Sequence, residues 1–216
     1  MKTLFFLQHL IKYMELAAAV TGFIYWKKLK KNYYKWFPVY LAIIAACEFI
    51  GYLLKLKAIA GNKELYSYFV IPLEFLFFHW MYYKTFGKKG KTVVLICSAL
   101  YLLSFVAENF IIQGTNLFFF SLSYSIGNIT LLVLIIIYFL DLMKSQRIIV
   151  FYKDLFFWIN SGLVLFYLGT FPYYGLFNFL VKENYDIFIG LTWAMVILDL
   201  LMYLFFIIGF IWSKQK

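Results

Sequence analysis

Apolar residues fall along this chain in seven long blocks, and the polar residues between them form short clusters. Most of the blocks approach the roughly twenty residues that a helix needs to cross a hydrocarbon core. The pattern predicts an all-α fold, a polytopic helical membrane bundle in one transmembrane domain over 1–216. Its spans are expected at about 4–26, 36–54, 65–84, 92–112, 117–140, 155–171 and 187–212.

Local residues shape each block. The first is interrupted by Gln8, His9, Lys12 and Glu15, where the apolar core of a cleaved signal peptide would be continuous, so it is expected to be a retained helix despite the small pair Ala17 and Ala19. Pro38 is expected in the first turn of the second span, where a missing N–H costs nothing. The third block carries Pro72, Glu74 and His79. The short turn Gln113 to Asn116 makes the fourth and fifth spans antiparallel neighbours. The fifth opens with Ser121, Ser123, Ser125, Gly127, Asn128 and Thr130, residue types that let membrane helices approach, and its second half is expected to face lipid. Pro172 is expected to stop the sixth span, and the aromatic stretch Tyr173 to Asp186 to lie at the interface as a loop or short helix.

Composition agrees with lipid as the solvent. The chain is 65% hydrophobic and 24% aromatic, which leaves too little polar surface to cover a water-soluble core of this size. Its 20 basic residues against 10 acidic ones would suggest nucleic acid in a soluble domain. Here all but Arg147 are lysines, and most of them fall in the short connections, the pattern of topology determinants. Counted by connection, about 14 lie on the side of the turns after spans one, three and five and the tail, and about 5 on the other. That asymmetry places the N-terminus outside and the C-terminus in the cytoplasm. The clusters Lys27, Lys28, Lys30, Lys31 and Lys84, Lys88, Lys89, Lys91 are then candidate contacts for anionic lipid or a cytoplasmic partner. Cys47 and Cys97 lie inside spans and read as small apolar fillers.

Candidate chemistry is confined to polar residues inside the spans. An ionised carboxylate at the bilayer centre costs about 2.5 to 3.5 kcal/mol, so Glu74 must meet protein, water or a partner, or hold a proton. At 1.5 Å per residue, Glu15, Glu74, Asn128 and Asp199 come at roughly 13 to 18 Å depth and Glu48 at about 9 Å. Such a layer suits a pore or proton relay; it suits equally well a set of private contacts, such as a Lys12–Glu15 pair on one helix face. A metal site on His9 and His79 is disfavoured by depths about 15 Å apart, and no cofactor is called for. No HExxH, GxSxG, P-loop or GxGxxG motif occurs, and the last span has Asp199 but no lysine for a retinal link, so an enzyme is not expected.

The stretches YYKWFPVYLAIIAACEFIGYLL (Tyr33 to Leu54), LYSYFVIPLEFLFF (Leu65 to Phe78) and AENF (Ala107 to Phe110) resemble a family of small polytopic membrane proteins of Bacteroidota. One branch is the membrane accessory protein encoded beside the RNA-guided RNase of type VI-B CRISPR systems. The resemblance implies a channel-like accessory in antiviral defence or DNA handling, with Glu48 and Glu74 at its recurring acidic positions. Its partners would be membrane lipids and a cytoplasmic RNA-guided nuclease, with self-association as a homo-oligomer. The alternative from the residues is a seven-span sensor passing an outer signal to a cytoplasmic kinase.

Overall fold

The computed structural model describes residues 2–29, 32–56, 61–110 and 121–213. Among them every regular element is helical, with no strand. The helices are α1 (Lys2–Ile24), α2 (Asn32–Leu56), α3 (Asn62–Leu65), α4 (Ile71–Thr85), α5 (Lys88–Phe110), α6 (Ser121–Lys144), α7 (Leu155–Gly175), α8 (Phe177–Glu183) and α9 (Tyr185–Trp212). Five of them are long and apolar enough to cross a membrane: α2 over Tyr33–Leu54, α5, α6, α7 and α9. α1 occupies the first expected span. α3, a π-helical turn at Tyr66–Val70 and α4 follow one another through the third.

That π turn has a local cause. Pro72, in the first turn of α4, has no N–H, and its ring crowds the carbonyl four residues back, at Tyr68. Widening the preceding turn, so that Ile71 N–H reaches the Tyr66 carbonyl, accommodates the proline without ending the helix.

Several expectations shift. α2 begins at Asn32, which puts Pro38 inside the helix rather than in its first turn. Pro172 does not stop α7, which continues to Gly175. Membrane helices tolerate proline because neighbouring groups re-satisfy the freed carbonyl, so proline is a weaker stop signal there than in water. Lys88, Lys89 and Lys91 belong to the first turn of α5 instead of a loop, leaving Phe86 and Gly87 as the link from α4. The connection from α6 to α7 is a 3-10 turn, Gln146–Lys153, bent at Val150 (φ −126°, ψ 25°). The interfacial stretch contains the short α8. The turn at 113–116 and the start of the fifth expected span lie outside the described residues.

The chain forms two compact units. The first comprises Met1–Phe49, Ile135–Gly169 and Trp193–Lys216; the second, Ile50–Leu134 and Thr170–Thr192. Lipid supplies no hydrophobic drive between helices, so cohesion in each unit rests on close packing and hydrogen bonds. In the first unit Phe37 packs edge-on to Phe206 at 5.0 Å and against Phe210 at 5.6 Å, and Tyr138 packs edge-on to Phe156 at 5.0 Å. Each such pair contributes about 0.5 to 1.5 kcal/mol beyond its burial. α7 and α9 approach so closely at Gly162 that a Cβ there would lie 3.0 Å from the Met202 carbonyl oxygen. Asp154 starts α7: its Oδ1 accepts the Phe156 N–H at 3.1 Å and the Tyr34 hydroxyl at 3.3 Å.

In the second unit contacts fix the register of three helices. Tyr68 meets Phe105, Phe75 meets Tyr101, and Lys91 Nζ sits 5.0 Å from the Tyr83 ring, so position numbers fall along α5 as they rise along α4. α5 and α6 are antiparallel in the same way, with Glu108 against Leu122 and Ser123, and Ser98 and Thr130 on either side of one histidine. The end of α7 joins through Tyr174 on Tyr124, ring centroids 4.3 Å apart.

Candidate functional site

α5 is sorted inside out. Its buried positions are Val94, Cys97, Tyr101, Ser104 and Glu108, spaced three or four apart along one face, with Asn109 beside the last. Its exposed positions include Leu95, Ile96, Leu102, Leu103, Val106 and Phe110. Leu103 is 67% exposed while Glu108 is 2% exposed, the reverse of a helix folded against water. In lipid this sorting is the stable one, because polar groups facing hydrocarbon have no partners.

Each polar group on that face is placed by a neighbour. Glu108 accepts the backbone N–H of Leu122 at 3.1 Å and of Ser123 at 2.7 Å, an anion at the first described turn of α6, where helix N–H groups point outward. The Ser104 hydroxyl donates to the Tyr101 carbonyl at 2.7 Å. Asn109 Nδ2 donates to the Phe105 carbonyl at 2.8 Å, which leaves its Oδ1 turned elsewhere, buried and with no hydrogen-bond partner among the described residues. The Tyr101 hydroxyl is in the same position, on a fully buried residue.

His79 of α4, 1% exposed, meets this face at Ser98. Its Nδ1 is 3.2 Å from Ser98 Oγ and its Nε2 is 3.5 Å from Thr130 Oγ1; the Tyr101 ring packs edge-on at 6.3 Å. The proton inventory selects a tautomer. Ser98 gives its hydroxyl proton to the Val94 carbonyl at 2.8 Å, so its oxygen accepts from Nδ1–H. Thr130 likewise donates to the Gly127 carbonyl at 2.8 Å, at the longer and weaker contact. Nδ1 thus carries the proton, an assignment made from the hydrogen-bond network. Ser123, Asn128 and Thr130 extend the polar interior along the first half of α6.

The residues singled out from the sequence divide between the units. Glu15, 1% exposed, and the half-buried Glu48 lie in the first, as does the buried Cys47 of α2. Asp199 is half-buried in the same unit. Glu74, half-buried, and Asn128, fully buried, lie in the second. Lys27, Lys28, Lys84, Lys88 and Lys89 are exposed, Lys91 is half-buried, and Lys30 and Lys31 lie outside the described residues. Lys28 Nζ sits 4.1 Å from the Tyr25 ring centre, as Lys91 Nζ sits over Tyr83. His79, Glu108, Tyr101 and Asn109 are the residues that sequence reasoning missed as a group; the signal was the three-and-four spacing of polar residues from Ser98 to Asn109 inside an apolar block. Among the described residues no group of three or more His, Cys, Asp or Glu is placed to hold a metal ion.

No family model, curated protein or solved structure matches this chain. The fold and the site define a class only: a helical membrane protein whose spanning helices carry polar side chains inward.

Proposed function

We propose that this protein is a non-enzymatic membrane accessory or effector that alters permeability through a narrow polar route between its helices. The observation that carries the proposal is the inner face of α5, where Tyr101, Ser104, Glu108 and Asn109 are buried while Leu95, Leu102, Leu103 and Val106 are exposed. The setting rests on the resemblance carried by Tyr33 to Leu54, Leu65 to Phe78 and Ala107 to Phe110: antiviral, CRISPR-associated defence or DNA handling at the bacterial inner membrane. In this proposal α1 and the α3–α4 run span the membrane with the five longer helices, giving seven spans with the N-terminus outside. The lysine clusters then face the cytoplasm, available to anionic lipid and to an RNA-guided nuclease.

The test is made in cells expressing the full chain with a reporter after Lys216. The reporter is expected to be cytoplasmic; a reporter outside contradicts the orientation. Induction is expected to raise dye entry or dissipate membrane potential, and Glu74→Gln, which keeps shape but removes charge, is expected to abolish this at unchanged expression and melting temperature. Glu15→Gln and Asp199→Asn are measured beside it. Full activity in all three stable variants would contradict a polar route, and an intact barrier with wild-type protein would leave the seven-span sensor as the better account.

A further inference from the structure

We propose that the species moved through the second unit is the proton, carried along the seam from Asn109 and Glu108 past Tyr101 to His79. This deepens the permeability proposal and rests on it. Two independent observations point to a relay rather than a wide pore or a dry contact. One is the pair of buried polar atoms, Tyr101 Oη and Asn109 Oδ1, that have no hydrogen-bond partner among the described residues. Left unmet, each is destabilising, yet both lie on the buried side of α5, eight residues, or about 12 Å, apart. A hydroxyl that donates and accepts, followed by a carbonyl that only accepts, matches water, which offers both roles. The other is His79, held with one ring nitrogen toward Ser98 and the other toward Thr130. An imidazole so placed can take a proton at one nitrogen and release one from the other.

The groups along the seam can accept and pass a proton. Glu108 is held as an acceptor by two backbone N–H groups from α6. Thr130 and Ser98 supply hydroxyls from α6 and α5, and the described inner face of α5 from Val94 to Asn109 presents no basic side chain. Each hop breaks one O–H or N–H bond as the next forms. After one proton has passed, every group has recovered its starting protonation, and no oxidant or second substrate is consumed.

Tyr101→Phe is the decisive variant. It deletes a hydroxyl that has no hydrogen-bond partner among the described residues while keeping the ring that packs on Phe75 and His79, so its melting temperature in detergent is expected to equal or exceed wild type. Full-length protein is reconstituted in liposomes holding a pH-sensitive dye, with valinomycin and potassium to clamp the potential, beside liposomes loaded with calcein. Wild type is expected to pass protons and retain calcein. Tyr101→Phe and His79→Gln are expected to fall to the flux of protein-free liposomes. Wild-type proton flux in Tyr101→Phe would overturn the route. Release of calcein together with protons would overturn proton selectivity and leave the permeability proposal standing, whereas no flux of either species in wild type would overturn both.

Discussion

Glu108→Ala is expected to destabilise the protein by about 3 kcal/mol. The carboxylate is 2% exposed and accepts two backbone N–H groups from α6 at 3.1 and 2.7 Å. Truncation removes two charge-assisted hydrogen bonds, strands both N–H groups away from water, and removes the anion from the positive end of a helix. Glu108→Gln keeps one acceptor oxygen and is expected to cost about half as much. Melting of purified protein in detergent is the measurement. An alanine variant that melts with wild type would mean that α6 does not depend on this anchor.

Gly127→Leu is expected to cost a comparable amount, about 3 kcal/mol, through crowding. A Cβ at Gly127 would stand 2.7 to 2.9 Å from three atoms of the Phe75 ring. That ring is fully buried and held between Tyr101 at 5.0 Å and Tyr124 at 5.4 Å, so it has nowhere to yield. Because the fault is one contact, Phe75→Ala in the same chain is expected to restore part of the loss, a coupling that two independent defects would not show. Gly190→Ala is the control: nothing lies within 4 Å of its added methyl, and alanine favours a helix, so stability is expected to hold or rise. Crowding at Gly127 that Phe75→Ala fails to relieve would contradict the packing described for α4 and α6.

The helical segments were legible in the sequence because lipid-spanning blocks are long. α2, α5, α7 and α9 lie where the second, fourth, sixth and seventh blocks place them, to within a few residues at most ends. Proline was misread at Pro38 and Pro172 because its helix-breaking force is calibrated on water, where a freed carbonyl is solvated rather than re-satisfied by neighbours. The site was less legible. Glu74 and Asp199 stand out as charges in apolar blocks, whereas Tyr101 and Ser104 count as nearly neutral in a hydropathy sum, and Glu108 falls near the end of its block and reads as interfacial. His79 was visible only as a candidate metal ligand; its partners Ser98 and Thr130 are 19 and 51 residues away, a proximity that only the helix register creates.

Whether the inner face of α5 is wet or dry decides between a polar route and polar cohesion, and cysteine accessibility measures it directly. In a chain with Cys47 and Cys97 replaced by alanine, single cysteines at Tyr101, Ser104 and Asn109 are compared in intact membranes with cysteines at Leu95, Leu102 and Val106. A small, water-soluble thiol reagent is expected to label the first three and spare the second three, since thiolates form only where water reaches. Labelling absent from all three inner positions, in variants that still fold, would contradict the account and leave α5 as a helix whose polar face serves packing alone.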